Sequence, residues 1–189
     1  DTDTDTDTDP ELCPETVYTM PPEKTRLIQG QFTADPSAHV FDCKLYFYPS
    51  HDQDNAVGFN MIDYHVFSLG ENGQFQDHGV ILSLNDVPWA QQYAWAPDAA
   101  YKNGKYYFYF PAKDSKGIFR MGVAVADTPH GPFVAEPEPI PNSFSIDPTV
   151  FVDDDGQAYM VFGGNWGGQL ECYASGTYRS SDCADDNGN

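Results

Sequence analysis

The run Asp35-Pro36-Ser37-Ala38-His39-Val40-Phe41-Asp42-Cys43-Lys44-Leu45-Tyr46-Phe47-Tyr48 reads as an aspartate, a short strand, a turn and an aromatic-rich return strand. The same grammar recurs twice. From Asp98 the chain passes Ala99-Ala100-Tyr101, turns at Asn103-Gly104 and returns along Tyr106-Tyr107-Phe108-Tyr109-Phe110. From Asp147-Pro148 it passes Thr149 to Val152, turns at Asp155-Gly156 and returns along Tyr159-Met160-Val161-Phe162. Copies spaced by 63 and then 49 residues signal a repeat fold, and four-stranded propeller blades fall near this size. Equivalent positions of a radial fold meet at its axis, so the three aspartates are expected at one mouth of the central channel. A single Asp-Pro has a conformational explanation, because the residue before proline is pushed toward an extended backbone. Three aspartates at corresponding places point to a shared site.

Working outward, blade one is expected over about 35–84, with a third strand at Phe59–Ser68 and a last one around Val80-Ile81-Leu82. Blade two is expected over about 98–140, with Phe119–Ala126 third and Phe133-Val134 fourth. Blade three covers 147–189, with a third strand near Gln169–Tyr173. Residues 11–34 form a Pro-containing lead-in, and residues 1–10 an Asp/Thr tail without apolar content, expected to be disordered. The start at Asp rather than Met, beside such a tail, suggests a removed leader. Aromatics at 15%, with 15 Pro and 16 Gly, suit many short strands joined by tight turns. No long stretch carries a helical apolar stripe, and no apolar run approaches the roughly 18 residues needed to cross a bilayer. The fold class is all-β.

A formal net charge of −20 from 29 acidic and 9 basic residues excludes a phosphate backbone as partner, because binding one needs clustered Lys and Arg. Without the five aspartates of residues 1–9 the balance is still 24 against 9, so the folded part is acidic in its own right. A neutral sugar is compatible with that field.

The sequences Ala34-Asp35-Pro36-Ser37, Trp95-Ala96-Pro97-Asp98 and Ser145-Ile146-Asp147-Pro148, with Gly163-Gly164-Asn165-Trp166-Gly167-Gly168-Gln169-Leu170 downstream, resemble glycoside hydrolase family 43. The resemblance covers about Gln29 to Leu170. It implies a five-bladed β-propeller, of which about three blades are present, and an O-glycosyl hydrolase of the β-xylosidase and α-L-arabinofuranosidase kind that inverts configuration. Asp35 then matches the general base that deprotonates water. Asp147 matches the aspartate that raises the pKa of the general acid and orients it. Asp98 either touches substrate or braces the pocket. Two carboxyls on separate blades suit the wide spacing that an inverting site needs to admit water. In the family the acid is a glutamate in a later blade; only 42 residues follow Asp147, with Glu171 the sole glutamate among them and in the wrong context. The chain is therefore expected to stop before its proton donor and its remaining blades. A noncatalytic carbohydrate-binding propeller is the alternative reading. A structural calcium ion is compatible with the full-length family fold, and no other cofactor is implied.

Trp95 and Trp166 are candidate stacking walls for a sugar ring, or core residues. His51 either lines the sugar pocket or is a satisfied surface histidine. His39, His51, His65, His78 and His130 show no paired spacing for metal, so no metal ligands are assigned. Cys13, Cys43, Cys172 and Cys183 contain no C-x-x-C pair. Cys172 and Cys183, eleven apart among Gly, Ser and Asp, are expected to close a disulfide in an oxidising compartment. A secreted, periplasmic or surface-anchored location, through the acidic tail, is the corresponding expectation.

Overall fold

The computed structural model describes residues 26–70, 73, 75–163, 175, 177 and 179. The acidic tail, most of the lead-in, Cys13, Trp166, Glu171, the Cys172/Cys183 pair and the expected strand near Gln169–Tyr173 lie outside the described residues. Among those described there are eleven strands and one short 3-10 turn, Leu84–Asp86. No helix of the described residues is long and apolar enough to cross a membrane.

Blade one is the antiparallel sheet β1 (Phe32–Phe41), β2 (Lys44–Asp52), β3 (Asp63–Leu69) and β4 (Phe75–Ser83), in that order. β1 begins at Phe32, inside the stretch expected to be lead-in, and β3 begins at Asp63 rather than Phe59. Blade two carries β6 (Asp98–Lys102), β7 (Lys105–Asp114), β8 (Phe119–Ala126) and β9 (Val134–Ala135), with β5 (Ala90–Gln92) paired to the far end of β7. β5 was not visible in the sequence because three residues carry no periodicity. Blade three shows the hairpin β10 (Thr149–Val152) and β11 (Ala158–Val161).

Turn chemistry explains the hairpins. Asn103 and Gly104 both take positive φ, the conformation a two-residue turn needs to match strand twist. Asp42 and Cys43 do the same without a glycine, at φ 49 and 59. Tertiary partners hold that costlier turn: Tyr106 on the next blade donates its hydroxyl to Asp42 Oδ2 at 2.7 Å, and Cys43 is disulfide-bonded.

The core lies between blades one and two, because the return strands β2 and β7 are the aromatic-rich ones. Tyr48, Tyr64, Phe108 and Phe110 are fully buried. Tyr64 meets Phe108 edge-on, with ring centroids 4.9 Å apart. Buried phenols need partners: Tyr48 donates to Pro129 O at 2.5 Å and Tyr64 to Trp95 O at 2.8 Å. Burial pushes the Tyr64 hydroxyl well above its ordinary pKa. Blade three is less covered, and Phe151, Tyr159 and Val161 are exposed. A lone two-stranded hairpin is marginal in water. This one is tied to its neighbours through β6, as the site geometry shows.

Candidate active site

The three aspartates reach one place by three different backbone routes. β1 carries an irregularity between Ala34 and Ser37, where Ala34 pairs with Ser50 and Ser37 with Tyr48. One extra residue is thereby inserted, a bulge that re-aims side chains. Asp35 sits in it at φ 46, so it lies within a strand rather than at its entrance. Asp147 precedes β10 and has φ 55. Both are non-glycine residues in the left-handed region and both precede proline, a combination held by surrounding structure at a cost of order 1–3 kcal/mol each. Asp98 is the first residue of β6 with no such strain.

These elements border an open cavity of about 410 Å³ lined by Asp35, Pro36, Ser37, Ala96, Pro97, Asp98, Asp147, Pro148 and Thr149. All three aspartates thus line one space, contributed by three successive inner strands. Their environments differ sharply. Asp35 and Asp147 are exposed and hydrogen-bond to none of the described residues. Asp98 is 3% exposed and saturated. It accepts from the backbone N–H of Ala99 at 2.8 Å and of Val150 at 2.7 Å, and its Oδ1 lies 2.6 Å from His39 Nε2. Those contacts run from β6 to β1 and to β10, so Asp98 braces three blades.

The titration behaviour follows the same division. Burial pushes the Asp98 carboxyl up, but the His39 hydrogen bond, the Val150 and Ala99 amides and the histidine's charge together outweigh it and hold it below the ordinary range. Asp147 keeps an exposed face, but partial desolvation by the cavity walls and then the nearby Asp35 carboxylate raise it. Within the one cavity, the Asp35 charge therefore disfavours ionisation of Asp147.

Of the other candidates, Trp95 immediately precedes the cavity wall but does not line it; its Nε1 donates to Phe59 O at 2.8 Å and its ring packs on Phe119 with centroids 4.8 Å apart. His51 is likewise absent from the lining, and its Nδ1 lies 2.6 Å from Asp63 Oδ1. Trp166 lies outside the described residues. Sequence reasoning missed His39, which is on the same strand as Asp35 but meets Asp98, a partner 59 residues away.

The chain matches the family described as glycosyl hydrolases family 43 over residues 25–178. It belongs to that family. Family 43 relatives include a xylosidase/arabinosidase of Humicola insolens, 60% identical over 160 residues, covering 79% of this chain and 49% of that protein. A xylosidase/arabinosidase of Bacteroides ovatus is 53% identical, covering 82% of this chain and 50% of its own length. Among solved family 43 structures, a β-xylosidase/α-arabinofuranosidase from a compost metagenome, in complex with xylotriose and calcium-free, is 56% identical with a TM-score of 0.79, covering 84% of this chain and 50% of that one. The chain spans about half the length of the relatives it matches. The three sheets are accordingly blades of the family's five-bladed propeller.

Proposed function

We propose that, at the full length of its family 43 relatives, this protein hydrolyses xylose- or arabinose-containing oligosaccharides or polysaccharides with inversion at the anomeric carbon. The carrying observation is the shared cavity in which Asp35 and Asp147 stand free while Asp98 is consumed in bracing. Asp35, accessible and without a hydrogen-bond partner among the described residues, takes a proton from water as that water's oxygen attacks the anomeric carbon and the glycosidic C–O bond breaks. The leaving oxygen takes its proton from a general acid, for which the family pattern supplies a glutamate outside the described residues. Asp147, beside that acid, keeps it protonated by like-charge repulsion and orients it. Asp98 is assigned to bracing rather than substrate contact, since its oxygens are already occupied. Of the aromatic and histidine candidates, Trp166 is retained as a wall for the sugar ring, because Trp95 and His51 are engaged outside the cavity. Such a mechanism consumes no cofactor; a structural calcium ion is compatible with the full-length family fold and would take oxygen donors. The disulfide-bonded Cys43 supports a secreted or periplasmic setting.

The test is hydrolysis of aryl β-xylosides and α-L-arabinofuranosides by the protein at its relatives' length, with NMR of the first-formed anomer. Inverted product, lost by at least about 10²-fold in Asp35→Asn, is expected, in line with the contribution of a positioned base. Retained configuration, or turnover indifferent to Asp35→Asn, would overturn the mechanism. Sugar binding without turnover would favour the noncatalytic carbohydrate-binding reading.

A further inference from the structure

Outside the cavity, blade one assembles a group that the sequence spacing did not reveal. Ser50 of β2 pairs with Tyr64 of β3, so antiparallel continuity sets His51 opposite Asp63, and Asp63 and His65 share one face of β3. One ligand atom each of His51, Asp63 and His65 lie within 4.8 Å of one another. The two imidazoles stand edge to face with centroids 4.7 Å apart. None of the three lines the cavity of the three aspartates.

Three further observations single this cluster out from a chance surface group. First, the β3–β4 ladder is irregular on both sides of His65, between Tyr64 and His65 and between His65 and Phe67, which re-aims that side chain. Second, His65 Nδ1 lies 3.0 Å from Asp77 Oδ1. A carboxylate only accepts, so Nδ1 carries the hydrogen and Nε2 keeps a free lone pair. Third, Asp77 is itself held, by the Gly79 N–H at 2.7 Å and the Gln31 Nε2 amide at 3.0 Å. A histidine whose other nitrogen donates to a carboxylate that is hydrogen-bonded in turn is the outer layer that orients metal-ligating imidazoles.

We propose that His51, Asp63 and His65 form a site for a divalent transition-metal ion of the zinc class. His65 ligates through Nε2, with Asp77 as its positioning carboxylate. His51 and Asp63 ligate through Nδ1 and Oδ1, which share a proton at 2.6 Å and release it as the ion enters. Tetrahedral ligands about 2.0–2.2 Å from zinc stand about 3.3 Å apart, so the cluster adjusts by side-chain motions of order 1 Å. The side chains are only 14–22% exposed, leaving a fourth position toward solvent. Two imidazoles and one carboxylate suit zinc, cobalt or nickel and not calcium, which takes oxygen ligands. An ion there would cross-link the two central strands, β2 and β3, at one end of blade one.

The experiment is Zn²⁺ titration of the metal-stripped protein in competition with a chromophoric chelator, with Ca²⁺ in parallel. One Zn²⁺ per chain is expected, undisplaced by excess Ca²⁺. His51→Gln and His65→Gln should each abolish it, Asp77→Asn should weaken it 10–100-fold, and His130→Gln should leave it intact. Because the ligand variants alter a strand pair, zinc-edge X-ray absorption of the unmodified, loaded protein gives a second reading: two imidazoles in the shell are expected. An all-oxygen shell, absence of stoichiometric binding, or binding that survives in the His51→Gln/His65→Gln double variant overturns the site. None of these readouts depends on glycosidase activity.

Discussion

His39 Nε2 lies 2.6 Å from Asp98 Oδ1, joining the first strand of blade one to the first strand of blade two beneath the cavity. Asp98 is a carboxylate held below the ordinary range, so the imidazole donates to it in a charge-assisted hydrogen bond. The same carboxylate accepts the Val150 amide of blade three through its other oxygen. One buried side chain therefore fixes the angular relation of three inner strands, and with it the relative placement of Asp35 and Asp147.

Asp98→Ala removes all three acceptor contacts and strands two buried N–H groups and an imidazole. A loss of about 3–5 kcal/mol at neutral pH is expected in urea unfolding. The sign of the pH dependence follows from the depressed folded pKa: the stabilisation is present above the unfolded value of 3.8 and is lost as pH falls through the lower folded one. Wild type should lose stability below about pH 4 more steeply than Asp98→Asn, which has no carboxyl there to protonate. Parallel acid limbs for the two proteins would contradict the brace.

Asp35→Asn should lower the pKa of Asp147, since the Asp35 charge is one of two causes raising it, while burial, the larger cause, persists. Carbon-13 NMR titration of the Asp147 carboxyl reads this directly. Because the folded value is raised, the linked stabilisation is full below the unfolded value of 3.8 and is lost as pH rises through the folded value. An Asp147 titration unchanged in Asp35→Asn would mean that the two carboxylates are not coupled.

Gly122 on β8 is fixed by space and not by backbone conformation. A Cβ there would stand 2.4 Å from Phe110 Cζ and 2.7 Å from Trp89 Cζ2. Phe110 is fully buried and stacks on the partly buried Trp89 at 5.9 Å, so the Phe110 ring has little room to yield. Gly122→Ala should cost about 1–3 kcal/mol. At roughly 2–4 °C per kcal/mol for a chain of this size, a melting temperature lower by several degrees is expected. An unchanged Tm would show that the aromatic layer is looser than its packing indicates.

Cys43 is disulfide-bonded, and the other three cysteines lie outside the described residues. The Cys172–Cys183 pair expected from the sequence would leave Cys13 as the partner of Cys43, and we predict that pairing. Non-reducing peptide mapping should recover those two linked pairs. Reduction should cost about 2–4 kcal/mol of stability. A Cys43–Cys172 or Cys43–Cys183 peptide would refute this pairing.

Much of this was legible in the sequence because it is local or repeated. Aromatic return strands, Asn103-Gly104 and the three Asp-led hairpins record period-2 burial and turn chemistry, each decided within a few residues. Repetition alone predicted that Asp35, Asp98 and Asp147 would face one another. What only the tertiary structure decided depends on partners far apart in the chain. Asp98 separates from its two counterparts as a brace because His39 and Val150 converge on it. Asp35 is re-aimed by a bulge that leaves no compositional mark. His51 meets Asp63 and His65 because two strands pair in one register across a ten-residue connection that carries no metal motif. Sequence periodicity places a side chain on a face; only strand pairing and blade packing determine which other side chains share that space, and so which carboxylate is free to act.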